Sequence, residues 1–231
     1  MKIIYTGIES SGKSLRLAMQ ARQIAHRNKK WLDRTNVPRP ICSNLKFSKE
    51  FEEYVTTTLS IPIHYWADLE ELVGFTEADV FIDELVNYFD SRNWADLPRS
   101  VRSWLSQGAK TGVHIYGASQ DFSQVDKSFR LLVNELYHVT KIIGSPRPMK
   151  TRPPVKRIWG LCMMQQMDPK SFKGDITTMK SAMAIPSFFL IQREDCVIFD
   201  TSARIQQSAL PPLKKEVRVC PEDGYKRIRY V

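Results

Sequence analysis

Residues 7–14 read GIESSGKS, directly after the apolar run KIIYT at 2–6 and overlapping the start of KSLRLAMQARQIAHRNKK at 13–30. The stretch satisfies G-x-x-x-x-G-K-[ST], in the setting of strand, loop and helix that this pattern requires. Gly7 and Gly12 allow backbone angles that a side chain forbids. The loop amides can then turn inward as a nest for anionic oxygens. The following helix adds its free N-terminal amides and the positive end of its dipole. Lys13 is placed to reach the β and γ phosphates of a nucleotide, and Ser14 to offer its hydroxyl to Mg2+. The expected cofactor-binding set is Gly7, Ser10, Ser11, Gly12, Lys13, Ser14 and Leu15, with ATP and Mg2+ as the cofactors. Glu9 is expected to turn its side chain away from the phosphates.

Outward from the loop, strand and helix signals alternate. In the helix 13–30, Leu15, Ala18, Met19, Arg22 and Ala25 are spaced for one face. Short extended runs are expected near Ile41 and over IPIHYW (61–66), with a short helix in ADLEELVGF (67–75). ADVFIDEL (78–85) reads as a second buried strand that ends in two acids. LPRSVRSWLSQGAKTG (97–112) reads as a helix with Pro98 in its first turn. VHIYGASQ (113–120) is a third buried strand, VDKSFRLLVNEL (125–136) a helix, and YHVTKIIG (137–144) a further strand. The rhythm then changes. SPRPMKTRPPVKR (145–157) reads as a connector, VKRIWGLCMMQQMD (155–168) as extended, and SFFLIQREDCVIFDT (187–201) as a hairpin turning at Arg193 to Asp195. The basic tail (208–231) is expected as an edge segment. Alternating strands and helices imply an α/β fold with a mostly parallel central sheet covered on both sides. The expected division is a core over 1–143 and a basic, strand-rich extension over 144–231 that completes or flanks it.

The acid pair gives the loop its chemical counterpart. Asp83, at the tip of a buried strand, suits the Mg2+ shell together with Ser14. Glu84, one residue on, is placed to polarise an attacking water. Gln120 ends a neighbouring strand, where its amide can both donate and accept near a γ-phosphate. Lys13, Glu84 and Gln120 are therefore candidate catalytic residues. In a ring, a neighbouring subunit could add an arginine against developing charge. Arg99, Arg102 and Arg130 are candidates, and Arg102 is preferred.

Composition narrows the partners. The 231-residue chain carries a formal net charge of +9 and 42% hydrophobic residues, enough for a sizeable core. Residues 1–143 hold 18 Lys and Arg against 17 Asp and Glu, whereas residues 144–231 hold 16 against 8. The basic excess thus lies in the last part of the chain and suits an anionic partner, nucleic acid or lipid headgroups, or else a solvated basic face. No apolar run approaches the length of a membrane span, and the N-terminus has no signal-peptide pattern. Cys42, Cys162, Cys196 and Cys220 lie far apart, which argues against structural zinc and for a reducing compartment.

These segments carry a family likeness. The run VFIDELVNYFDSRNWADLPRSVRSWLSQGAKTGVHIYGASQDFSQVDKSFRLLVNELYHV (80–139) resembles the ATPase domain of zonula occludens toxin-like proteins. That family includes filamentous-phage assembly ATPases and belongs with the FtsK/HerA-type DNA-translocating and viral genome-packaging P-loop ATPases. The shared marks are GIESSGKS, Phe81 to Glu84, the arginine-bearing helix, Ser119 to Asp121, and VIFDTS with Asp200 and Thr201. The resemblance implies a P-loop NTPase that binds ATP and Mg2+, forms a homo-oligomeric, hexameric ring and drives DNA movement. By the same analogy, Lys13 and Ser14 bind phosphate and metal, Asp83 supports the metal, Glu84 activates water and Gln120 senses the γ-phosphate. Filamentous-phage relatives carry a transmembrane segment after this domain, and this sequence shows none. The expectation is therefore a motor packaging a viral genome, in host cytoplasm or on the virion, docked at a capsid vertex protein or touching a membrane peripherally. The alternatives are a phage assembly or extrusion ATPase and, less in keeping with Glu84 and Gln120, a small-molecule kinase.

Overall fold

The structure is a computed structural model that describes residues 1–92, 97–108, 110–144, 158–174, 179–182, 185–192, 195, 198–204, 215–219 and 226–230. The chain begins with β1 (Lys2–Thr6), buried along its whole length, and passes through the glycine loop into α1 (Lys13–Thr35). There follow β2 (Ile41–Ser43), β3 (Leu45–Phe47), α2 (Lys49–Glu53), β4 (Ile63–Tyr65), β5 (Asp79–Ile82), α3 (Val86–Phe89) and α4 (Arg99–Gln107). Next come β6 (His114–Ser119), α5 (Lys127–Arg130), β7 (Glu135–Gly144), β8 (Ile158–Met167), β9 (Ser187–Gln192) and β10 (Phe199–Arg204). The strands β11 (Lys215–Val219) and β12 (Lys226–Tyr230) come last.

Eight strands form one sheet in the order β4-β2-β5-β6-β1-β7-β8-β9. From β4 to β7 every neighbouring pair is parallel, and β8 and β9 then add antiparallel pairs at the edge. Side chains alternate between the two faces, as strand geometry demands. Ile3, Tyr5, Phe81 and Tyr116 join α1 in one core layer, while Ile4, Val80, Ile82 and Ile115 join Leu85, Val101 and Trp104 in the other. The fold is thus α/β with helices on both faces of a mostly parallel sheet.

The face that α1 buries differs in phase from the expected one. It consists of Lys13, Leu17, Ala18, Ala21, Ile24, Ala25 and Asn28, and Met19 and Arg22 are only half-buried. The phase is set at the first residue: the loop turns Lys13 inward, and Leu17 and Ala21 follow beneath it at the spacing of one helix face.

Three further expectations are corrected. The helix over 125–136 is reduced to the single turn α5, with Leu131 73% exposed just after it. Asn134 accepts from the Lys2 amide through its side chain and donates its own amide to the Lys2 carbonyl, so pairing with β1 takes over where the helix would have continued. The hairpin over 187–201 does not form. β9 pairs with β8, whereas β10 crosses to pair with β3, where Phe199 stacks on Phe47. Arg193 and Glu194 lie outside the described residues, and Asp195 is buried in an ion pair with Arg22 of α1 at 2.9 Å. Of the tail, the described residues form β11 and β12, which pair with each other in a separate two-stranded sheet rather than along the edge of the main one. The expected connector, 145–157, lies outside the described residues. Among the described residues, no helix is long and apolar enough to cross a membrane.

Candidate functional site

The site lies at the carboxyl ends of β1, β5 and β6, where ligands of open α/β sheets bind. The loop after β1 is built on Gly7 and Gly12, with φ of +149° and +103°, and Ser10 also has φ of +59°. Steric walls add to the backbone requirement. A Cβ on Gly7 would lie 2.4 Å from the carbonyl oxygen of Val139 in β7, and one on Gly12 would lie 3.0 Å from Cys162 Sγ in β8. Gly12 is also the N-cap of α1 and supplies no side-chain cap, which leaves the helix's first amides to the loop's interior.

Within that loop, Lys13 Nζ donates to the carbonyls of Gly7 and Ile8, both at 2.7 Å. Ser14 Oγ donates to the Asp83 carboxylate at 3.2 and 3.4 Å, joining the first turn of α1 to the residue after β5. Gln120 Nε2 donates to Glu84 Oε1 at 3.4 Å. A cleft of about 100 Å³ is lined by Glu9, Ser10, Lys13, Ser14, Asp83, Glu84, Ala118, Ser119 and Gln120. Pockets that enclose a whole small ligand are larger, about 300 Å³ or more.

The cleft carries more negative than positive charge. Burial and the neighbouring Glu84 carboxylate push Asp83 up to about 6, against the opposing pull of the Ser14 hydrogen bond and the Lys13 charge. Burial lowers the Lys13 pKa, and the carboxylates of Asp83, Glu84 and Glu9 work the other way. Burial also lowers His138 on β7, and Lys13 adds to that effect. Two carboxylates brought side by side in a half-buried cleft favour a cation between them. Ser14 and Asp83 together offer the hard oxygen donors that Mg2+ takes, with room left in its shell for phosphate oxygens and water. The residues present therefore fit a magnesium-bound nucleotide.

The remaining sequence candidates fall elsewhere. Ser11 is buried, and its carbonyl accepts from Cys162 Sγ at 3.5 Å. Leu15 packs against the core on the α1 side. Neither lines the cleft, and Gly7 and Gly12 shape it without lining it. Glu9, expected to face away, is among the lining residues. Arg102 sits half-buried on α4 and is not part of the lining, and Arg99 is exposed on the same helix. Arg130 is engaged within its own chain: Nη1 donates to the carbonyls of Ser123 at 2.7 Å and Phe122 at 3.4 Å, and the guanidinium lies 4.7 Å from the Phe172 ring centroid.

Ser119, among the marks of the family resemblance, lines the cleft beside Gln120. Two contributors have no signature in the sequence. Ala118 lines the cleft next to Ser119. Asn44, which follows β2, bonds both peptide groups of Asp83. Only its place beside a strand end could have drawn attention to it.

The chain has a P-loop NTPase fold. It shares that fold with the N-terminal domain of zonular occludens toxin from Neisseria meningitidis, with a TM-score of 0.53 and 17% identity over 87% of this chain and 98% of that one. The fold-level resemblance legible in the sequence is thus present in three dimensions. Looser similarity is found to B204, the DNA-packaging ATPase from Sulfolobus turreted icosahedral virus, with 14% identity, 80% of this chain and 97% of that one covered, and a TM-score of 0.42. The flagellar accessory protein FlaH from Methanocaldococcus jannaschii gives 13% identity, 79% and 89% coverage and a TM-score of 0.40. No protein-family model matches the chain, and no curated protein matches it in sequence.

Proposed function

We propose that this chain hydrolyses ATP and uses the energy to move nucleic acid, as a ring of like subunits that packages a viral genome. The observation that carries the reading is the convergence of Lys13, Ser14, Asp83, Glu84 and Gln120 on one cleft, from three separate stretches of the chain. The loop amides and Lys13 hold the phosphates. Ser14 and Asp83 would hold Mg2+, which supplies positive charge against the phosphate oxygens when bound. Glu84 takes the proton of the attacking water, and Gln120 holds the Glu84 carboxylate in place through Nε2. A glutamate in this place serves transfer to water, whereas a kinase acting on small molecules has no need of it. The basic excess of residues 144–231 supports an anionic polymer as cargo, gripped through its backbone rather than read base by base.

The test is ATP hydrolysis with and without DNA, repeated for Lys13→Ala and Glu84→Gln. DNA is expected to raise turnover in the wild type. Lys13→Ala should lose ATP retention, whereas Glu84→Gln should retain ATP and lose about 10²-fold or more in turnover. Turnover that ignores DNA and requires a small phosphate acceptor overturns the motor in favour of a kinase.

A further inference from the structure

The strand β5 leaves the ladder just before its acids. Its last pair with β2 is Ser43 with Phe81, and its last pair with β6 is Ile82 with Gly117. Asp83 therefore emerges with its peptide groups beyond both neighbouring strands. Asn44 meets them on the β2 side. Its Oδ1 accepts from the Asp83 amide at 2.9 Å, and its Nδ2 donates to the Asp83 carbonyl at 2.9 Å. One carboxamide thus does for Asp83 what a strand neighbour would do. The two bonds have opposite polarity, so only one orientation of the amide satisfies both.

Asn44 is itself fixed. Its amide donates to the Phe81 carbonyl at 3.3 Å, and Nδ2 also lies 3.4 Å from the Tyr88 hydroxyl. The neighbouring backbone explains why such a pin is needed. Glu84 has φ of +56°, in the left-handed region that a side-chain-bearing residue adopts only under strain. Strain of this kind persists only where the surroundings over-determine it. Here the fixed points are Asn44 on Asp83 and, on the other side, the Leu85 amide donating to the Ala118 carbonyl at 2.8 Å. Between them the chain reverses, so that Asp83 meets Ser14 while Glu84 meets Gln120.

We propose that Asn44 is a positioning residue: by clamping the Asp83 peptide it aims the two carboxylates, and so sets how much magnesium strengthens nucleotide binding. This rests on the nucleotide reading of the cleft. Asn44 does not line the cleft, and it acts only through the backbone of Asp83.

The test uses the full chain, wild type, Asn44→Ala and Asn44→Leu, the last keeping the side-chain volume without its polar atoms. Binding of a fluorescent ATP analogue is measured in EDTA and in excess Mg2+. Both variants should keep the metal-free affinity within about twofold, because Lys13 and the loop are untouched. The gain in affinity on adding Mg2+ should fall by about tenfold or more, the usual loss when a partner of a metal ligand is removed. A purely structural role would weaken both affinities together. That result, an unchanged magnesium gain, or the failure of both variants to fold overturns the proposal for Asn44. A wild type that binds the analogue no better than Lys13→Ala overturns the nucleotide reading instead, and this inference with it.

Discussion

Gly7 shows how a single residue ties the loop to the sheet. Its positive φ is a requirement of the loop, but its missing side chain is also a requirement of β7, whose Val139 carbonyl would sit 2.4 Å from a Cβ. Because the obstacle is backbone, no rotamer can relieve it. Gly7→Ala is therefore expected to cost about 2 kcal/mol or more, through strain and strand displacement together. Urea unfolding checks this, and the same protein should bind ATP weakly. At this scale the sequence was highly informative about residue types. Lys13, Ser14, Asp83, Glu84 and Gln120 are all legible from spacing and strand position, and all five line one cleft. What the sequence did not reveal were the supports. Val139, Cys162 and Asn44 act on the loop or the acid pair from distant stretches, with side chains or carbonyls that carry no pattern of their own.

At the scale of elements, α1 and β5 are joined at both ends. Near the cleft, Ser14 bonds Asp83; at the opposite end, Asn28 and Arg27 of α1 bond Asp79 at 2.9 and 2.6 Å. Arg39 adds Nε to Asp79 at 2.7 Å, and His114 Nδ1 lies 3.3 Å away. Asp79 is fully buried, and burial alone would raise its pKa. The nearby His114 Nδ1, the Arg39 hydrogen bond and the charges of Arg27 and Arg39 outweigh that and hold it well below the usual carboxylate range. A depressed folded pKa means stability that is complete above the unfolded value, about 4, and is lost as pH falls through the lower folded value. The thermal midpoint should therefore keep this contribution from neutral pH down to about pH 4 and lose it only in stronger acid. Arg39→Met, which leaves Asp79 buried with fewer partners, should cost about 3–5 kcal/mol by urea unfolding at pH 7. The strand-helix alternation that brings these elements together was legible from periodicity. The phase of α1 was not, because the loop that turns Lys13 inward sets it. Nor was the loss of the helix over 125–136, because Asn134 is claimed by Lys2, a residue at the far end of the chain.

For the whole molecule, the late part of the chain returns to the early part. β8 and β9 extend the sheet beyond β7, β10 pairs with β3, and Asp195 is buried against Arg22. Arg22→Ala would leave the Asp195 carboxylate buried without this cation, and a loss of several kcal/mol is expected; limited proteolysis should then cut the C-terminal part sooner. The uneven charge also belongs to this scale. If DNA is gripped through phosphates by the basic last part of the chain, affinity should fall by about tenfold or more between 50 and 200 mM salt. Fluorescence anisotropy over that range measures it, and salt-independent binding counts against a phosphate grip. Light scattering with ATP and DNA present should show a particle several chains in size.

The phosphate loop, the acid pair, the polar strand end and the alternating order of a parallel sheet are legible in the order of residues alone. Each is written locally, in glycine spacing, apolar runs and the residues at their ends. Which strand each late segment joins, where α1 faces, and what holds Asp83 and Glu84 in place emerge only in the folded chain. Those outcomes depend on contacts between residues far apart in the chain: a carbonyl beneath Gly7, an amide beside Asp83, a carboxylate under Arg22. Periodicity and propensity describe neighbours along the chain, and these partners become neighbours only when the sheet closes around them.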